Sequence, residues 1–332
     1  MIPRSKYRWQ PNDWRSLLKQ ANISSTDLLN MLGLSLPESE VFNTNDFQLR
    51  VPPGFSSRIQ RNSPNDPLLL QVLPRKEEEN DSLFSAIDPL GESIFTKTAG
   101  LIQKYQGRAL VQITDNCAIH CRYCFRRHSQ TRHALSSEDW QQICEEISKD
   151  QSISEIILSG GDPLTLGNKR LAQIIKDIDR IPQIRRLRIH TRIPIVLPER
   201  IDASFLSTLQ ASSKLVVLVV HCNHSNEIDS SVESACKELI NSGVRLLNQS
   251  VLLASINDSP EVLCQLSDDL FGVGIQPYYL HLPDKVLGTG HFNVTEDRAL
   301  KIYEKMLARL PGYLLPKLVK EIPGRQSKSP IY

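Results

Sequence analysis

With 39 Lys and Arg against 37 Asp and Glu in 332 residues, the chain can bury a large core but has almost no net charge. It offers no overall field to nucleic acid or an anionic membrane, so a small-molecule substrate fits better. No stretch approaches the roughly 20 apolar residues of a membrane span, and the start MIPRSKYRWQ has no apolar region behind its charges, so a cytoplasmic protein is expected. Seven Cys, three of them within eight residues, suit no disulfide framework and are expected to stay reduced.

Residues 1–95 read as a helical N-terminal extension. NDWRSLLKQ and STDLLNMLGL carry helix signals, with Ser or Thr as N-cap of the second, and VPPGF and NSPNDP are Pro-rich connections. The charged run KEEEND at 76–81 reads as a solvated face, and the extension as scaffold or lid. Over 96–310 the pattern changes. The runs ALVQIT, EIILSGG, RLRIHT, KLVVLVVH, RLLNQSVLL and IQPYYLHL alternate with helix-length segments such as SSEDWQQICEEIS, which predicts six βα units and a parallel sheet. Six units without a clear seventh or eighth suit an α/β fold of the partial (βα)6 TIM type, with a doubly wound sheet as the alternative. The last part, 311–332, reads as a short C-terminal tail whose apolar stretch YLLPKL would bring it back over the barrel mouth.

In such a barrel chemistry collects at the C-terminal ends of the strands. The segments found there are, in order, CAIHCRYC, GGD, HTR, HCNH, NQS and HLPD. The first is the sharpest. Cys117, Cys121 and Cys124 place three soft thiolates on one loop, enough for three irons of a [4Fe-4S] cluster with the fourth left open. Zinc would want a fourth ligand, for which His120 and His128 are near in sequence. A ferredoxin-type carrier would need another Cys, and the next, Cys144, falls in a predicted helix. Cys222, Cys236 and Cys264 read as small buried hydrophobes.

CxxxCxxC after a first barrel strand, with an aromatic near its last Cys, resembles the signature of the radical S-adenosylmethionine superfamily. Gly160, Gly161 and Asp162 resemble its second-strand motif for that cofactor. More narrowly, CRYCFRR, LSGGDPL, RIHTRIPIVLP, HCNHSNE, GVRLLNQSVLL and PYYLHLPDKVLGTGHF, in this order, resemble the lysine 2,3-aminomutase family. CRYCFRRH, GYLLPKL and SKSP bring the chain closest to the branch that makes (R)-β-lysine for attachment to elongation factor P.

This resemblance implies three cofactors: the cluster, S-adenosylmethionine and pyridoxal phosphate. Lys328 matches the lysine that holds pyridoxal phosphate covalently, and Arg108 and Lys104 match cations on its phosphate. His221 and Gln249 match positions near the adenosyl group. Arg126 matches the arginine on the substrate α-carboxylate, and Asp284 and Glu321 match the acids on the distal ammonium of lysine. A flavodoxin- or ferredoxin-like reductant and a ligase acting on elongation factor P are the implied partners, with room for a homo-oligomer. The chain departs from relatives in Lys104 for Arg, Glu321 for Asp, GRQSK in place of a glycine run, Ser259 for Cys, and the lack of a Cys-rich C-terminal extension, so no structural zinc is expected. An aminomutase for another amino acid, or a cluster-bearing electron-transfer or redox-sensing protein, are the rival readings.

Overall fold

The computed structural model describes residues 13–35, 37, 47–79, 83–84, 86–128 and 135–331. The predicted strands form as β3 (Arg108–Thr114), β4 (Glu155–Gly160), β5 (Arg186–Thr191), β6 (Leu215–Val220), β7 (Arg245–Val251) and β8 (Gln276–His281), each parallel to the next. The sheet extends at both edges. A small antiparallel pair, β1 (Thr96–Thr98) and β2 (Leu101–Ile102), joins β3. On the other side the tail contributes β9 (Lys317–Lys320), a seventh parallel strand beside β8, and β10 (Ser329–Pro330), antiparallel to β9. The six-unit expectation therefore falls one strand short: KLVK is too brief to show a strand pattern, and its place is fixed by pairing. The ten strands run in sequence order from β1 to β10 without closing, as a partial barrel.

Helices cover the outer face. Before the sheet lie α1 (Trp14–Gln20), α2 (Ser25–Leu32), α3 (Pro53–Ser56) and α4 (Pro67–Leu70). The crossovers are α5 (Ser137–Lys149), α6 (Asn168–Asp179), α7 (Ile193–Val196) with α8 (Ala203–Gln210), α9 (Ser230–Asn241), α10 (Pro260–Gly272) and α11 (Glu296–Leu307). Side-chain caps start several: Ser136 closes a capping box on α5, and Ser259 accepts from Val262 N at the head of α10, which gives this serine a structural use of its own. Trp14, Leu17, Leu28 and Leu29 share one core with Val111, Ile143 and Leu187, so the N-terminal helices are packed into the barrel wall. The tail is tied separately, by Leu318 and Ile331 against Leu280, Ile302 and Met306.

The strands alternate in a telling way. In β3 and β5 every second residue is buried against the helices, while Arg108, Leu110, Gln112, Arg188 and His190 on the other face stay half-buried. A packed barrel would bury both faces. Here the lumen is lined by polar and titratable side chains and remains accessible.

Candidate active site

The three-thiol loop follows β3 and is clamped from below by the N-terminal extension. His120 N donates to Arg50 O at 3.0 Å and Arg122 N to Gln71 O at 2.9 Å. Arg122 is wholly buried; its Nε and Nη2 grip Glu78, and Arg127 reaches the same carboxylate at 2.5 Å. Glu78 is the exception within KEEEND: Lys76, Glu77 and Glu79 are exposed as expected, whereas Glu78 is 5 % exposed and neutralises two arginines of the loop. Asn80 and Asp81 lie outside the described residues. An uncompensated buried charge costs on the order of 3–5 kcal/mol, so Glu78 and its arginines are mutually required.

Burial pushes the Cys117 thiol well up, helped by Cys124, Asp162 and Cys121. Cys124 is pushed up to about 11 by burial and by Cys121. Burial thus disfavours the ionised forms of Cys117 and Cys124, and a bound cationic group would relieve them. Among the described residues no three His, Cys, Asp or Glu side chains close round a single metal ion, whereas a cluster takes one thiolate per iron and needs its ligands apart. His120 and His128 are both engaged by carbonyls, of Gln48 at 2.7 Å and Leu287 at 2.9 Å. Cys144 sits in α5, and Cys222 and Cys236 are buried.

Gly160 and Gly161 end β4 against the approach to Cys117. Gly160 has φ 117°, and a Cβ there would meet Thr114 O at 2.3 Å; one on Gly161 would meet Asn116 O at 2.4 Å. Asp162 accepts from Thr191 Oγ1 and Arg192 N, both at 2.7 Å, and from Leu164 N at 3.0 Å. This motif braces the ends of β3, β4 and β5, so what it can offer a ligand is backbone.

Inside the lumen His221 and Gln249 touch through Nε2 atoms at 2.5 Å. His190, whose ring stands 6.4 Å from that of His221, keeps a buried Nε2 with no partner among the described residues. Burial lowers His190, His221 (to about 3) and His281, with nearby cations including Lys328 adding to the effect, so all three imidazoles are neutral at pH 7.

The charged residues gather where the two sheet edges approach. Glu321, directly after β9, accepts from Lys104 Nζ at 2.6 Å, Tyr105 OH at 3.0 Å and Lys328 Nζ at 2.8 Å. Burial pulls Glu321 upward, but Lys328 and Lys104 prevail and hold it at about 2. Lys104 is thus committed to Glu321 and to Leu90 O. Arg108 lies over the Tyr105 ring at 4.8 Å. Asp284 has the opposite character: among the described residues no hydrogen bond or ion pair reaches its carboxylate, and burial, with Glu321 adding to it, raises it to about 7. Arg126 presents its fork to Glu92, Nε to Oε2 at 2.9 Å and Nη2 to Oε1 at 2.6 Å. Sequence reasoning missed Glu92, as it missed Gln71, Glu78, Arg192, Asn223 and Glu227. Their advance signals were the strand-end segments HTR and HCNHSNE, which hold Arg192, Asn223 and Glu227, and a surplus of arginine, Arg122, Arg126 and Arg127, around a loop due to be buried.

A partial barrel with three thiols on the loop after its first parallel strand defines a radical S-adenosylmethionine domain, and residues 111–207 match the Radical SAM superfamily model. The chain is 40 % identical to the L-lysine 2,3-aminomutase of Escherichia coli K12, over 96 % of its own length and 94 % of that protein. It is 40 % identical to the one from Haemophilus influenzae over 99 % and 98 %, and 32 % identical to the one from Clostridium subterminale over 96 % and 78 %. The chain belongs to the L-lysine 2,3-aminomutase family of radical S-adenosylmethionine isomerases. Enzymes of this family work with a [4Fe-4S] cluster, S-adenosylmethionine and pyridoxal phosphate. Among solved structures it is similar to a radical SAM methyltransferase from Sphaerobacter thermophilus (TM-score 0.45, 16 % identity, 66 % of this chain and 68 % of that one). It is also similar to methylornithine synthase (0.43, 10 %, 95 % and 87 %); both are likenesses of fold too slight to carry argument.

Proposed function

We propose that the protein converts L-lysine to (R)-β-lysine by 2,3-amino migration, supplying the residue that a ligase attaches to elongation factor P. Cys117, Cys121 and Cys124 hold the cluster. Gly160 and Gly161 would offer backbone to S-adenosylmethionine, and His221 and Gln249 would contribute side chains to its adenosyl site. Lys328 would hold pyridoxal phosphate covalently, and Arg108 and Lys104 would be the cations for its phosphate. When bound, the cluster and S-adenosylmethionine supply a carbon radical, and pyridoxal phosphate supplies a conjugated ring that spreads an unpaired electron.

The chain's own residues fix which molecule reacts and how it lies. Arg126 takes the α-carboxylate on the fork that now grips Glu92, in the bidentate geometry a carboxylate prefers. Asp284 takes the ε-ammonium, with Glu321 beside it. The observation that carries this reading is Asp284: a half-buried carboxylate with no hydrogen-bonded or ion-paired partner among the described residues asks for a cation from a ligand. Neutral His190, His221 and His281 keep further positive charge out of the lumen, so a cationic substrate meets no added repulsion. The physiological electron donor is a flavodoxin- or ferredoxin-like protein, and the enzyme acts in the cytoplasm; among the described residues no helix is long and apolar enough to cross a membrane.

The test is an anaerobic incubation of reconstituted protein with L-lysine, S-adenosylmethionine and dithionite, with products separated by chiral chromatography. (R)-β-lysine is expected. A fully loaded enzyme that cleaves S-adenosylmethionine but leaves lysine unchanged would overturn the substrate assignment.

A further inference from the structure

The three thiols differ in what surrounds them. Arg192, just beyond β5, is 6 % exposed, and its guanidinium lies between the rings of Phe55 and Tyr123, 5.5 and 5.7 Å from their centroids. Nη1 donates to Cys121 Sγ at 2.7 Å. Nη2 donates to Gln71 Oε1 at 2.6 Å and to Glu227 Oε2 at 2.9 Å. Glu227 is pinned in turn, its Oε1 accepting from Gln71 Nε2 at 3.1 Å, Asn223 N at 2.9 Å and His224 N at 3.1 Å. Asp162 holds the Arg192 backbone. The guanidinium is therefore aimed at one sulfur by a rigid frame drawn from the N-terminal extension and the loops after β5 and β6. Among the described residues no side chain hydrogen-bonds to the sulfur of Cys117 or Cys124; their cations, Arg50 for the first and Arg126 and Arg127 for the second, act through space.

We propose that Arg192 is a positioning residue that sets the reduction potential of the cluster through its hydrogen bond to Cys121. This rests on the reading of the three cysteines as cluster ligands. The first chemical event is uptake of one electron, which adds negative charge to the cluster. A fixed N–H donor with a full positive charge, in contact with a ligand sulfur and shielded from water, stabilises the reduced state more than the oxidised one. Glu227 moderates the effect by neutralising part of that charge. Arg192 thus eases reduction, and Glu227 sets by how much.

The experiment is an EPR-monitored redox titration of the reconstituted protein, alongside iron and sulfide analysis. Replacing the pair together, Arg192→Gln with Glu227→Gln, removes both charges without stranding either. It is expected to keep the cluster and to shift the reduction equilibrium about tenfold toward the oxidised form, 59 mV for one electron. Glu227→Gln alone, leaving Arg192 unopposed, is expected to shift it the other way, and Arg192→Lys to stay near wild type. A purely structural role would not give opposite signs. Unchanged potentials in cluster-loaded variants would overturn the proposal. If the double variant fails to hold a cluster, the sign of the Glu227→Gln shift decides alone. A wild-type protein with no cluster would instead overturn the reading on which this rests.

Discussion

The two ends of the site are built on different principles. At the radical end Gln71, Tyr123, Arg192, Asn223 and Glu227 hydrogen-bond to one another in a buried network, which leaves Arg192 Nε without a hydrogen-bond partner among the described residues. At the amino-acid end the charges hold each other provisionally: Arg126 with Glu92, Lys104 and Lys328 with Glu321, and Asp284 with none among the described residues. A densely bonded network is rigid and suits a group that stays. Exchangeable ion pairs suit a zwitterion that arrives, displaces one carboxylate and leaves.

The largest effect expected is complete and confined to one end. Replacing Cys117, Cys121 or Cys124 by Ala should abolish the cluster by iron and sulfide analysis, while Cys144→Ala keeps it. The visible absorbance of pyridoxal phosphate bound at Lys328 should survive all four changes and vanish in Lys328→Ala. Loss of both cofactors from a single cysteine variant would break the claim that the ends are separately built.

Next comes Asp284→Asn. Removing the carboxylate proposed to meet the ε-ammonium should raise the KM for lysine about 100-fold, since an unpaired buried charge costs on the order of 3–5 kcal/mol. Stability should move the other way. Asp284 is raised from 3.8 to about 7 by folding, so between those values the native state binds more protons, and stability falls as pH rises. The Asn variant should therefore be more stable than wild type by roughly 1–2 kcal/mol at pH 8, with the difference gone below pH 4. Equal urea midpoints at pH 8 would show that Asp284 is already satisfied.

A smaller change tests the fork. Glu92→Gln leaves Arg126 open, and lysine should bind about five-fold more tightly, in line with loss of one partly screened carboxylate competitor. Cadaverine, which lacks the α-carboxylate, should bind as before. Weaker lysine binding would make Glu92 a support for Arg126 instead of its rival.

The radical end was legible in sequence where its information is local. Three cysteines in eight residues and six β-branched runs before polar loops are patterns that need no knowledge of distant partners. The frame around them was hidden for the opposite reason: Gln71 meets Glu227 across 156 positions and Glu78 meets Arg122 across 44. A buried Glu in an acidic run looks like its solvated neighbours until the fold brings arginines to it. At the amino-acid end family likeness singled out Arg126, Asp284, Glu321 and Lys328 as candidates, but not their pairings. That Glu92 lies on Arg126 follows from the fold of the β1–β3 edge, and that Lys104 lies on Glu321 follows only from the two sheet edges meeting.

That meeting of edges gives the smallest effect and the sharpest contrast within one pocket. Glu321 and Asp284 are neighbouring acids displaced in opposite directions, the first held at about 2 and the second raised to about 7. Lys104 reaches Glu321 from the connection between β2 and β3, and Lys328 from beside β10, so this carboxylate laces the open side of the barrel. Its ordinary value is 4.5, so its contribution to stability is fully present above that pH and is lost as pH falls from there through about 2. Glu321→Gln should thus destabilise the protein by about 1–2 kcal/mol at pH 7, a figure reduced for partial exposure to solvent, and flatten the loss of stability on acidification. Glu321→Asp should fall between, because a side chain one methylene shorter cannot hold both ammoniums at once. Urea midpoints measured between pH 7 and pH 3 separate these outcomes. Parallel curves for wild type and Glu321→Gln would mean that the two edges are held by packing alone, and that Glu321 is as free as Asp284 to receive the substrate.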